Sequence, residues 1–205
     1  MMKKVKFIVF ICLFILLPLA YFNGFIRISD LTSEQESIAK KYGGVYVFDE
    51  KLEKEIDKRE EERDKYLDDF FKNNNRDFDL NDQTIMNEKL PRVLSNGKKY
   101  YSRRDNIKID NYKILNNYEE KLKEFMGKDY DKYENYLSIN LGYFYIDNDT
   151  IIPISIGVST LYTEVTFGLY GDEASGIKFT KESTQRLIGD NKFYLSNNKF
   201  QKINK

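Results

Sequence analysis

Apolar residues run almost unbroken from Val5 to Phe22, whereas farther along the chain they come in short groups of three to twelve residues broken by charged and turn-forming positions. Lys3, Lys4 and Lys6 precede or interrupt the start of that run. As helix, Val5–Phe22 would span about 27 Å, close to a hydrocarbon core of about 30 Å, and Phe25, Ile26 and Ile28 can extend it. A Lys-flanked apolar run of this kind is a membrane-targeting signal with the N-terminus inside. Cleavage after Ala20 would place Pro18 at the third-last position and cleavage after Gly24 would place Phe22 there, where small residues are needed. Cys12 sits mid-run behind Ile11, which excludes lipid attachment. The pattern predicts residues 1–28 as an anchor or signal segment, with contact to the membrane through residues 5–22, and residues 29–205 as a single extracytoplasmic domain. The expected address is the inner membrane, single-pass, the alternative being a secreted or periplasmic protein after cleavage.

Thr32 with Gln35 and Ser33 with Glu36 form overlapping capping boxes for a helix over about Glu34–Lys41, stopped by Gly43-Gly44. Val45–Phe48 reads as a strand and Asp49 as an N-cap. From Glu50 to Lys65 every residue except Leu52 and Ile56 is charged. Its i,i+4 pairs of opposite and like charge nearly cancel, so the helix to about Lys72 depends on docking Leu52, Ile56, Leu67, Phe70 and Phe71. A short helix over about Asp82–Lys89 stops before Pro91. Arg92–Leu94 and Lys99–Tyr101 flank Asn96-Gly97, a strong hairpin signal because both residues tolerate positive φ. Ile107–Ile109 reads as a strand. Asn116 caps a helix over Asn117–Met126 that Gly127 closes, and Tyr130–Tyr136 adds a turn or two.

The last third changes period. Leu137–Ile146, Ile151–Ile156, Val158–Leu169, Ile177–Thr180, Arg186–Ile188, Phe193–Ser196 and Phe200–Ile203 are β-branched or aromatic runs separated by polar turns. Pro153 marks an edge or bulge. The predicted fold class is α+β: a helix-rich 33–136 packed on a C-terminal antiparallel meander, 137–203, of about five strands.

Composition removes chemistries. The 205 residues hold 33 acidic and 33 basic side chains, so no basic footprint for nucleic acid exists. Histidine is absent, which excludes Ser-His-Asp and Cys-His nucleophiles and the usual zinc sites. The one cysteine, Cys12, lies in the anchor, so the domain forms no disulfide. No cofactor and no metal is expected. Asp147-Asn148-Asp149 has the spacing of the first calcium-loop ligands, but Ile151 and Ile152 stand where an oxygen ligand and glycine are needed, so it reads as a turn.

The candidate binding residues are Tyr100, Tyr101, Arg103 and Arg104 on the hairpin arm, suited to an anionic lipid or an acidic protein surface. The plainer reading of the same arm is an edge hairpin kept soluble by its Lys and Arg. Aromatics at Tyr143–Tyr145, Phe167, Tyr170, Phe179, Phe193 and Tyr194 fall on both sheet faces, as core or as a patch for a partner. Acidic pairs such as Asp129/Asp131 and Asp172/Glu173 are too common in a charged chain to mark a glycosidase. The expected function is a non-catalytic, membrane-tethered module of a bacterial envelope that binds another envelope protein, as an immunity-type inhibitor or an assembly accessory. The alternatives are a carboxylate-dependent hydrolase of envelope polymers and a carrier of an apolar ligand.

Overall fold

The computed structural model describes residues 2–105, 107–109, 112–114, 117–171 and 176–202. It is a mixed structure of helices and sheets. Contacts divide it into two compact units, residues 1–38 with 160–187 and residues 39–159 with 188–205.

The first unit opens with α1 (Met2–Ile11), a π-helical segment (Cys12–Leu16) and α2 (Leu17–Phe22). Ile11 and Leu17, on either side of the π segment, both keep right-handed helical dihedrals, and the Leu17 N–H donates to the Cys12 carbonyl five residues back. Pro18 supplies the cause. It has no N–H to give the Phe14 carbonyl and its ring crowds that carbonyl, and one wider turn relieves the clash. Among the described residues no single helix is long and apolar enough to cross a membrane.

The helix does not continue through Phe25, Ile26 and Ile28. Those positions lie in strand β1 (Asn23–Ser29), which pairs antiparallel with β8 (Ser155–Tyr170), Ile26 opposite Phe167 and Ile28 opposite Val165. Gly24, at φ +72°, turns the chain out of the helix, and the β-branched alternation after it favours the ladder. Asp30 closes the pair from both sides: its N–H donates to the Thr163 carbonyl and its carboxylate accepts the Thr163 N–H. Strand β9 (Lys178–Ile188) also pairs with β8. It joins in one element the two runs expected separately at Ile177–Thr180 and Arg186–Ile188. Helix α3 (Ser33–Tyr42) starts on the predicted Thr32/Gln35 box, Thr32 N–H to Gln35 Oε1 at 2.7 Å and Gln35 N–H to Thr32 Oγ1 at 3.2 Å.

In the second unit the end of α3 is held by Asn191, whose Nδ2 donates to the carbonyls of Lys40 and Gly43. That grip sets strand β10 (Asn191–Ser196) parallel to β2 (Gly44–Val47), Asn191 beside Gly44. A Cβ on Gly44 would stand 2.0 Å from the Asn191 carbonyl oxygen, so only glycine fits. The expected meander is therefore corrected. In this unit the strand neighbours run β8, β2, β10, β11 (Lys199–Lys202), with β2 supplied from the N-terminal half, and β5 (Leu137–Leu141) pairs β8. Tyr46, fully buried, stacks on Phe193 at 4.5 Å and meets Phe125 and Phe200 edge-on. Its hydroxyl donates to the Tyr42 carbonyl, and burial pushes its pKa far up.

Helix α4 (Glu50–Asn73) starts on Asp49, which accepts the Leu52 N–H, and α5 (Leu80–Lys89) starts on an Asp79/Asp82 capping box. Leu52 and Ile56 dock as expected, against Leu94, Tyr100 and Ile154. Phe71 stays exposed. The Asn96-Gly97 turn forms, but only Gly97 takes positive φ (+78°). The Gly97 N–H reaches the Leu94 carbonyl and the Leu94 N–H reaches the Lys98 carbonyl, which makes a three-residue loop instead of a two-residue turn. Among the described residues, the two-residue turns with both residues at positive φ are Asn148-Asp149 and Asn197-Asn198.

A four-stranded sheet follows the order β3 (Tyr100–Ser102), β6 (Tyr143–Asp147), β7 (Thr150–Pro153), β4 (Lys113–Ile114). The run expected as one strand over Leu137–Ile146 breaks at Gly142 into β5 and β6, which belong to different sheets. Pro153 ends β7 opposite Phe144. Ile107–Ile109 is not a strand: Ile107 and Ile109 each donate two residues back, to Asp105 and Ile107, and coil the segment tightly. Helix α6 (Asn117–Met126) appears as predicted, and the turn or two expected over Tyr130–Tyr136 begins earlier, as α7 (Lys128–Tyr133) followed by a 3-10 turn (Glu134–Tyr136), with Gly127 at φ +57° between the helices. Asn116, Asp172, Glu173 and Ile203 lie outside the described residues.

Candidate functional site

The site grows from the buried stripe of α4. Leu52 and Ile56 fix which face of the helix turns inward, and Glu60 and Arg63 follow at the next i+4 and i+3 steps on that face. Arg63 is only 5% exposed. Its Nη1 donates at 2.6 Å to the carbonyl of Leu90, the residue just past α5, and its Nη2 to Asn87 Oδ1 at 2.9 Å. Among the described residues it has no carboxylate partner within 4.0 Å. Burial and, after it, the positive charge of Arg92 lower its pKa, although a guanidinium stays protonated at neutral pH.

Arg92, carried into the hairpin directly after Pro91, bridges two acids. Its Nη2 donates to Glu60 Oε2 at 3.1 Å and its Nη1 to Asp105 Oδ1 at 2.8 Å. Its Nε lies 3.1 Å from Glu60 Oε1, an ion contact whose direction does not make a hydrogen bond. Tyr100 completes the network, its hydroxyl donating to Glu60 Oε1 at 2.6 Å. Burial and the Glu60 contact drive the Tyr100 pKa well up, so the phenol stays protonated. The other oxygen of Asp105 accepts the Ser102 N–H at 2.6 Å and fixes the turn after β3.

Beside this network opens a cavity of about 470 Å³, lined by Arg63, Asn87, Arg92, Lys99, Tyr101 and Asp105 among others. Lys99 stands over the Tyr101 ring at 5.3 Å. A smaller cavity, about 220 Å³, lies among Phe48, Leu52, Tyr118, Tyr145, Ile152 and Leu195. No cluster of three or more His, Cys, Asp or Glu able to hold a metal occurs among the described residues.

The hairpin residues singled out in the sequence separate in the structure. Tyr100 is 1% exposed and belongs to the core cluster of Leu52, Ile56, Leu94 and Ile154. Tyr101 is half-buried against Phe144 and lines the cavity. Arg103 and Arg104 are exposed in the turn beyond β3. The sequence reading missed Glu60, Arg63 and Arg92. The signal for the first two was present: carrying the Leu52/Ile56 register forward into the charged run places both on the inward face. Asp129, one of the acidic pair set aside, accepts from Lys41 Nζ at 2.8 Å and from Tyr42 Oη at 2.7 Å, which hold its carboxylate below the usual range.

No protein-family model, curated protein or solved structure matches the chain, so the site is interpreted from its own geometry.

Proposed function

We propose that this chain is a membrane-tethered, non-catalytic binding module of a bacterial cell envelope, with the residues beyond the anchor outside the cytoplasm and another envelope protein as partner. One observation carries the tether. Every large apolar residue from Val5 to Leu19 except Ile11 is 46–65% exposed, on all sides of the helical run. A helix whose apolar side chains stay this exposed all round needs an apolar solvent. Residues 2–22 as helix reach about 31 Å, the thickness of a hydrocarbon core. Lys3, Lys4 and Lys6 favour the cytoplasmic side for that end.

Support for binding over catalysis comes from the cavity. Its one lining carboxylate, Asp105, is already held by Arg92 and the Ser102 amide, whereas polymer hydrolysis needs two carboxyls facing each other across a cleft. The chain also lacks histidine. The test is fractionation of a tagged chain with a carbonate wash, paired with protease treatment of spheroplasts. Retention in washed membranes with a C-terminal tag degraded from outside is the expected result. A soluble exported form beginning near residue 21 or 25, or a tag protected in intact spheroplasts, overturns it. Crosslinking and capture from the same membranes then identifies the partner.

A further inference from the structure

The cavity beside α4 and α5 has a charge count that its own side chains leave open. Three cations line it, Arg63, Arg92 and Lys99, with one acid, Asp105, and Arg92 also holds a second acid, Glu60, that is not part of the lining. Arg92 uses both acids, so Arg63 and Lys99 keep no carboxylate of their own among the described residues. A buried guanidinium satisfied only by a carbonyl and an amide costs desolvation that a bound anion offsets. Two of its five N–H groups are used.

The neighbours are set for the same guest. Because Asn87 Oδ1 accepts from Arg63, its Nδ2 is left as a donor, and Gln83 lies one turn earlier on the same face of α5. Pro91, Val93, Ile107 and the Tyr101 ring supply apolar wall. The volume fits a small ligand or a terminal side chain.

We infer that this cavity is a binding site for a monoanionic carboxylate with an apolar body, its carboxylate on Arg63 and Lys99 and its body against Val93, Ile107 and Tyr101. The surplus of a single positive charge selects a monoanion. A phosphate dianion would overcharge a cavity that already contains Asp105. The site stands on the second unit alone and does not depend on the membrane tether. The carboxylate can come from a free small molecule or from the C-terminus of a peptide.

The full chain in detergent micelles, labelled with ¹⁵N, is titrated with benzoate, N-acetylphenylalanine, benzamide and inorganic phosphate. Saturable shifts at the amides of Gln83, Asn87, Lys99 and Tyr101 with benzoate or N-acetylphenylalanine are expected, and the tighter of the two identifies a free acid or a peptide terminus as the source. Lys99→Gln, a surface change that leaves the fold intact, weakens binding about tenfold, the size of a lost charge-assisted hydrogen bond. Arg63→Met, with its fold verified by the dispersion of its spectrum, abolishes binding, while Arg63→Lys keeps part of it. Benzamide as tight as benzoate, phosphate tighter than either carboxylate, shifts confined to residues outside the cavity, or no saturable shift at all overturns the inference.

Discussion

A Cβ placed on Gly142 would stand 2.5 Å from Ser155 Oγ and 3.0 Å from the Ser155 carbonyl oxygen, and the same serine receives two consecutive amides, Gly142 N–H on its carbonyl and Tyr143 N–H on its hydroxyl. This is the point at which β5 and β6 part into different sheets, and the facing chain passes from β7 to β8 at Ile154. Gly142 is needed for closeness of backbone, not for positive φ. Ile154 bonds both ways across the break, its N–H to the Tyr143 carbonyl and its carbonyl from the Phe48 N–H.

Gly142→Ala therefore destabilises the protein by about 2 kcal/mol, the cost of forcing atoms into filled space. Gly157→Ala, two positions beyond Ser155 with nothing within 4 Å of its Cβ, is the control. It changes stability by at most about 1 kcal/mol, in the stabilising direction. Urea unfolding of the two variants separates close approach from a general loss of glycine.

Gly97→Val acts through the backbone alone. No atom lies within 4 Å of a Cβ there, but φ is +78°. A β-branched residue in that region costs about 1 kcal/mol or more, and Gly97→Asn costs markedly less because asparagine tolerates it. Thermal melts of the pair check the ranking.

Glu60 holds Arg92 and the Tyr100 hydroxyl at once. Glu60→Ala leaves a buried phenol and a largely buried guanidinium without that partner and costs about 2 kcal/mol. Tyr100→Phe in the Glu60→Ala background then costs little more, while in the native background it costs about 1 kcal/mol. A double-mutant cycle by chemical denaturation reads the coupling.

Asp82 caps α5 and takes a bidentate contact from Arg76, at 2.6 and 2.8 Å, which together with the Asp79 amide holds its pKa below the ordinary 3.8. A carboxylate depressed in the folded state contributes stability that is present above pH 3.8 and lost as the pH falls through the folded value. Asp129, held down by Lys41 and Tyr42, acts in the same direction. Asp82→Asn lowers stability at neutral pH and makes its fall on acidification shallower, and unfolding followed at a series of acidic pH values measures that slope.

Local chemistry was legible in the chain. The Thr32/Gln35 box, the Asp49 cap, the Asn117–Met126 helix and its Gly127 stop, and the turns at Asp147–Asp149 and Asn197-Asn198 all depend on neighbours within four residues, and all form. Strand order was not legible, because it depends on partners far along the chain. Nothing near Asn191 shows that its amide will clasp the Lys40 and Gly43 carbonyls and seat β10 beside β2. The helix end at Phe22 was also decided at a distance, by the ladder that β8 offers to Asn23–Ser29. In the candidate site, Tyr101, singled out by its residue type on a hairpin, lines the cavity. Arg63 and Glu60 lie in a charged run whose composition looks the same on every face; the Leu52/Ile56 register points them inward, and docking of that stripe makes them buried. The sequence determined the caps and turns named above, because those are local physics. The tertiary structure decided which strands pair and which charges lose their water, because those energies exist only once distant segments meet.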